Sequence, residues 1–218
     1  MILSVRRALA SAAIAASLAA VPVMAQDAPA IAASAEAATP LAEGASAPDA
    51  TIHTGDGTAV QLATLWEAQP TLLIFYRGGW CPYCVRHLEA LAGVHAQLEA
   101  LGVKVVALSP DRPELVLEAE QKYDLPYDLY SDSSIAAARA FGLAFRVDDA
   151  TFNMYKERFS LDLEAKSGHD HRALPVPAAY LVGTDGTILF AHADANYRER
   201  VNTERLIEAA TAAASPAM

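Results

Sequence analysis

The chain reads as an α/β domain built on a mixed sheet, and three stretches predict it. "TLLIFYR" (Thr71–Arg77) and "VKVVALSP" (Val103–Pro110) are continuous apolar runs, the pattern of strands covered on both faces. Between them, "CVRHLEALAGVHAQLEALG" places Val85, Leu88, Leu91, Leu98 and Leu101 on one helical stripe. Strand, helix and strand joined by short links make a parallel pair with a right-handed crossover. The third stretch, "AAYLV-GTDG-TILFA", reads as an antiparallel hairpin, which makes the sheet mixed.

The remaining elements follow in chain order. Arg6 and Arg7 precede the apolar run "ALASAAIAASLAAV", and small residues at Val23–Ala25 suit cleavage before Gln26, so residues 1–25 are expected to be an export signal. The run is shorter than the roughly 20 residues a spanning helix needs, and no stable membrane insertion is expected. Residues 26–45, rich in Ala, Pro and Ser without periodicity, are expected to form a flexible leader, and residues 46–218 the domain. "ATIHT" and "AVQLA" flank Gly55-Asp56-Gly57 as a short hairpin. Gly102 ends the first helix. "RPELVLEAEQKYD" and "SSIAAARAFG" read as helices with the strand "PYDLYSD" between them, and "ERVNTERLIEAATAAA" as a closing helix capped by Asn202. Residues 142–174 hold Phe152, Tyr155 and Phe159 at helical spacing. One or two short helices are expected there, their stripe serving the core or else a substrate pocket or dimer contact.

Composition excludes one class of partner. The formal charge is −10, and loss of Arg6 and Arg7 with the signal would take it to −12. So acidic a chain lacks the basic footprint of nucleic acid binding.

The two cysteines, Cys81 and Cys84 in "RGGWCPYC", carry the chemistry. A strand ends at Arg77, Gly78 and Gly79 permit a bend, and Pro82 suits a first helical turn. Cys81 then faces the free N–H groups and positive dipole of a helix start, which favours thiolate, the reactive form of a thiol. Cys84 lies one turn on and is placed to close a Cys81–Cys84 redox-active disulfide. An inert bridge over so short a loop would stabilise little. Cys-x-x-Cys is also a zinc spacing, and His169 and His171 in "GHDHR" are the nearest thing to further ligands. A copper- or zinc-binding protein is therefore a rival reading, against a solvated polar loop at that pair. His87 is expected at the surface, with proton transfer to or from a thiol as the alternative, and His95 is expected to be partly buried. Trp80 is placed either to pack over the disulfide or to fill the strand end.

Strand, bend and Cys-x-x-Cys at a helix start resemble the thioredoxin fold. "GASAPDATIHTGDGTAVQL" resembles the N-terminal hairpin of the alkyl hydroperoxide reductase/thiol-specific antioxidant (AhpC/TSA, peroxiredoxin) superfamily. "FYRGGWCPYC" and "LPVPAAYLVGTDGTILFAHADANYRER" resemble its peroxiredoxin-like branch, and CPYC also matches glutaredoxins. The resemblance covers most of residues 44–200. It implies a thioredoxin-like fold with a mixed central sheet flanked by helices, an N-terminal hairpin and a helical insertion before the final hairpin. It further implies a cis Val176–Pro177 bond opposite the cysteines, with Pro177 positioning substrate, although sequence alone equally allows a trans edge-strand proline.

The resemblance also has departures. Aligned on the family pattern, Arg77 falls at the usual proline, Cys81 at the usual Thr or Ser, and Cys84 at the peroxidatic cysteine. Pro177 falls where the family places an arginine. The expected activity is reduction of hydroperoxides through a dithiol–disulfide cycle in the periplasm, with no cofactor or metal and a thioredoxin-like dithiol as reductant. Cys81 is favoured as the attacking residue, Cys84 being first under the family alignment, and Arg77 and Trp80 are substrate-positioning candidates. Protein thiol–disulfide exchange by the same pair is the runner-up.

Overall fold

The computed structural model describes residues 29–214; the expected signal, residues 1–25, lies outside them. The chain begins its sheet with a hairpin, β1 (Thr51–His53) and β2 (Ala59–Gln61), closed by Gly57 at φ 86°. β3 (Thr71–Phe75), α1 (Pro82–Ala100) and β4 (Lys104–Ser109) form the parallel crossover. Then come α2 (Pro113–Tyr123), β5 (Asp128–Ser131) and α3 (Ala136–Ala140). The insertion holds β6 (Ala144–Arg146), α4 (Asp149–Phe159), α5 (Leu163–Ser167) and β7 (Ala173–Pro175). β8 (Ala178–Val182), β9 (Ile188–Ala193) and α6 (Thr203–Ala214) finish the domain.

Seven strands make one sheet in the order β2-β1-β5-β4-β3-β8-β9, with β3, β4 and β5 parallel and β8 antiparallel to β3. All five residues of β3 are buried because successive side chains feed two separate cores. Leu73 and Phe75 face Trp66, Phe141 and Tyr180 on one side. Leu72 and Ile74 face Leu88, Leu91 and Leu98 of α1 and Leu206 of α6 on the other, and Cys81 and Cys84 belong to this second core. Each such leucine contributes about 1.5–3 kcal/mol on burial. As expected, α1 ends at Gly102 (φ 75°), and Val103 N–H bonds back to Leu98 O at 3.0 Å. Asn202 Oδ1 accepts from Arg205 N–H at 3.0 Å as the cap of α6.

Three expectations are corrected. Residues 29–45 do not form a flexible leader but a strap. Ala32 N–H bonds to Ala144 O, Arg146 N–H to Ala32 O, and Thr39 N–H to Gly142 O. Ile31, Ala35, Ala38 and Leu41 pack on the first core. The stretch lacks periodicity because it bonds through its backbone to an edge strand and to Gly142, not because it is unstructured. Second, the insertion has the two expected helices but also the paired strands β6 and β7, too short to leave a pattern. Third, the described residues contain no cis peptide bond. Only Val176 and Pro177 separate β7 from β8, so the chain runs extended between strands and trans proline fits without a turn.

Candidate active site

The cysteine loop is fixed by close backbone contacts. Gly78 has φ 137°, and a Cβ there would collide with the Trp80 indole and lie 2.8 Å from Asp111 Oδ2, so only glycine fits. Gly79 N–H donates to Asp111 Oδ2 at 2.8 Å, and Tyr123 Oη donates to Gly79 O at 3.1 Å. Burial pushes the Asp111 carboxyl up to about 6, partly offset by the Gly79 N–H and by Lys166. Cys81 is the N-cap of α1, with Pro82 in the first turn, as the sequence predicts.

The two thiols are both free, buried and inequivalent. Cys81 is held down to about 6, first by the Cys84 S–H and then by the helix-start N–H of Cys84, the Arg77 guanidinium and the Tyr83 N–H, against the cost of burial. Cys84 is pushed well up because its proton serves Cys81 and because it is buried; Arg200 works the other way. Arg200 Nη2 donates to Cys84 Sγ at 3.2 Å.

Cys81 lines a cleft of about 420 Å³ whose walls are mostly aromatic, including Trp80, Tyr83, Tyr155, Phe159 and Tyr197, with Arg77 and Lys166 as its cations. Arg77 is only 4% exposed. Its Nη2 donates to Tyr155 Oη at 2.7 Å, and its guanidinium lies 4.3 Å from the Tyr197 ring centre and 5.2 Å from that of Trp80. The helical stripe of the insertion therefore splits. Phe152 enters a small core, while Tyr155 and the exposed Phe159 form the cleft wall.

Arg77, Trp80 and Cys81 thus share one cleft. Pro177 lines the adjoining one, which is reached past Arg77, Tyr155 and Tyr197. The histidine pair does not join the cysteines. His171 Nε2 contacts Ser133 O at 2.9 Å and its Nδ1 accepts from Ala173 N–H at 2.9 Å, so both ring nitrogens hold the fold. Among the described residues no group of three or more His, Cys, Asp or Glu is placed to hold a metal, which removes the chelating set drawn from Cys81, Cys84 and these histidines. His87 is buried rather than on the surface, while His95 is half-buried against Tyr127 as expected. Sequence reasoning missed Arg200: it sits in "ANYRER", 116 residues beyond Cys84, and no spacing rule ties it to a thiol.

A family profile, that of the AhpC/TSA family, matches residues 44–191. The chain belongs to the AhpC/TSA family. Among curated relatives, peroxiredoxin Q of rice (Oryza sativa subsp. japonica) is 27% identical over 103 residues, 47% of each chain. Peroxiredoxin Bcp of Escherichia coli K12 is 31% identical over 104 residues, 48% of this chain and 66% of that protein. The chain thus spans about half the length of the rice relative and just under two thirds of the bacterial one. Reduced Prx3 of Vibrio vulnificus, crystallised with hydrogen peroxide, shares the fold at TM-score 0.63 and 18% identity, over 78% of this chain and 99% of its own.

Proposed function

We propose that this protein is a thiol peroxidase in which Cys81 attacks the hydroperoxide and Cys84 resolves. The observation that carries the reading is the asymmetry of the pair: Cys81 favours thiolate and lines the cleft, while Cys84 keeps its proton behind it. The Cys81 thiolate attacks the outer oxygen of ROOH, the O–O bond breaks, and ROH leaves after taking a proton. Cys81 becomes a sulfenic acid. Cys84 then gives its proton to the departing hydroxide while its sulfur, stabilised as thiolate by Arg200, attacks the Cys81 sulfur, so that water leaves and the disulfide closes. A thioredoxin-type dithiol restores the pair and is itself oxidised. Arg77 supplies positive charge beside the thiolate, which makes up for the family arginine replaced here by Pro177. Trp80, Tyr155 and Tyr197 wall the cleft and keep Arg77 in place.

Names of relatives such as peroxiredoxin Q and Bcp support the peroxidase reading. The names of these relatives give protein disulfide exchange, the second reading, no support. The test is stopped-flow oxidation of the reduced protein by hydrogen peroxide, followed by tryptophan fluorescence. Cys84→Ser is expected to keep the fast phase and Cys81→Ser to lose it. The reverse pattern would assign attack to Cys84, and a wild-type rate no faster than free cysteine would end the peroxidase reading. We also propose export to the periplasm, from the signal pattern of residues 1–25. Amino-terminal sequencing of the exported protein should begin at Gln26.

A further inference from the structure

Behind the cysteines, on the far side of Tyr83 from the cleft, lies a second pocket of about 330 Å³. Arg86, Arg198 and Arg200 line it with His87 and the start of α6 at Asn202 and Thr203, and no acidic residue does. Three guanidiniums converge here in a chain whose formal charge is −10. None of the five ion pairs among the described residues uses any of the three. Arg86 and Arg198 lie over tyrosine rings, Tyr83 at 4.6 Å and Tyr197 at 5.4 Å, which holds their charge in place without neutralising it. Arg200 is anchored from behind, its Nη1 donating to Tyr197 O at 2.7 Å.

The rest of the lining brings no negative charge, and His87, 8% exposed, sits in it as a neutral imidazole because burial and then Arg200 hold its pKa down to about 4. α6, a helix of 12 residues, presents its N-terminus at this wall, and Glu204 of its first turn is not among the lining residues.

We propose that this pocket binds a small multivalent oxyanion, a carboxylate or phosphate, and that the bound anion competes with the Cys84 sulfur for Arg200. Arg200 is the link because it lines the pocket and donates to Cys84 Sγ at 3.2 Å. An anion that engages its guanidinium withdraws charge from Cys84. Cys84 leaves as thiolate when the disulfide is reduced, and a poorer leaving group slows that step. Occupancy therefore slows regeneration and spares the attack by Cys81. The competition rests on Cys84 being the resolving thiol; the anion site does not.

The test titrates inorganic phosphate, and separately citrate, into the reduced protein by calorimetry at constant ionic strength, with sodium chloride as the blank. Wild type is expected to bind, and Arg86→Gln/Arg198→Gln to bind about tenfold or more weakly, as loss of charge-assisted bonds implies. Tighter binding of citrate assigns the site to organic carboxylates and tighter binding of phosphate to phosphate. With the oxidised form of the same two proteins, reduction of the disulfide by dithiothreitol, which is uncharged at pH 7, should slow several-fold on anion saturation in wild type and not in the variant. Heat-capacity melts of the variant confirm that it folds. Absence of binding above the chloride blank, or equal binding by a folded variant, overturns the site. Binding that leaves the reduction rate unchanged overturns the competition for Arg200. Loss of peroxide turnover in wild type with dithiothreitol alone would instead defeat the peroxidase reading, and the calorimetric result would stand apart from it.

Discussion

Cys81 and Cys84 are three positions apart, yet their surroundings drive them in opposite directions, one toward thiolate and the other away from it. Thiolate absorbance at 240 nm should therefore titrate in the reduced protein with a midpoint near 6, vanish in Cys81→Ser, and shift upward in Cys84→Ala, where the S–H donor is gone. The linkage has a definite sign. A depressed thiol contributes stability that is full above the unfolded value, near 8.5, and is lost as pH falls through about 6. The reduced protein should thus lose more stability than the disulfide form when acidified across that window. Arg200 acts on the other sulfur. Arg200→Met should slow reduction of the disulfide by dithiothreitol about tenfold, the worth of one charge-assisted bond, and change the rate of peroxide attack at Cys81 much less. Equal slowing of both steps would mean that Arg200 serves both thiols. At this scale the sequence displayed Cys81, Cys84, Trp80 and Arg77, because all four lie in one unbroken stretch from a strand to a helix. It hid Arg200 and the burial of His87, because both depend on how the chain between β9 and α6 folds back over α1.

Among the elements, the loop between β3 and α1 tolerates the least change. Gly78 combines φ 137° with contacts that leave no room for a side chain. Gly78→Ala should destabilise the protein by about 2 kcal/mol or more in denaturant titration and raise the Cys81 pKa as the helix start moves. Asn202→Ala, removing only the cap of α6, should cost about 1 kcal/mol and leave the thiol titration alone. If both substitutions moved the thiol pKa alike, the loop would have no special part in setting it. The elements that could be read from sequence were those with a period or a punctuation mark: β3 and β4 by continuous apolar character, α1 by its leucine stripe and Gly102, and the final hairpin by its turn. β6 and β7 escaped because three residues carry no period. The split of α4 into a core side chain and a cleft wall escaped because spacing reports which residues share a face, not what that face meets.

Across the whole molecule, the strap of residues 29–45 joins the N-terminal end of the chain to the chemistry. Ala33, Ser34, Ala35 and Glu36 wall the cleft that holds Pro177, on the opposite side of Arg77 from Cys81. The guanidinium that lowers the Cys81 pKa is therefore buried from both directions, by the aromatic wall of α4 and by the strap. Composition could not disclose this, since an irregular stretch held through its backbone looks the same in sequence as one held by nothing. The strap's hold can be measured. Ile31 and Leu41 are half-buried against the first core, and truncating both to alanine removes about 2 kcal/mol of burial. For a domain of this size that lowers the melting temperature by about 4–8 °C. Loss of the strap would also let water reach Arg77 from behind, weaken its field at the thiolate and move the Cys81 midpoint upward from about 6. Calorimetry and the 240 nm titration on one Ile31→Ala/Leu41→Ala sample check both effects. A lowered melting temperature with an unmoved midpoint would confine the strap to stability, and an unchanged melting temperature would return residues 29–45 to the flexible leader that their composition suggests.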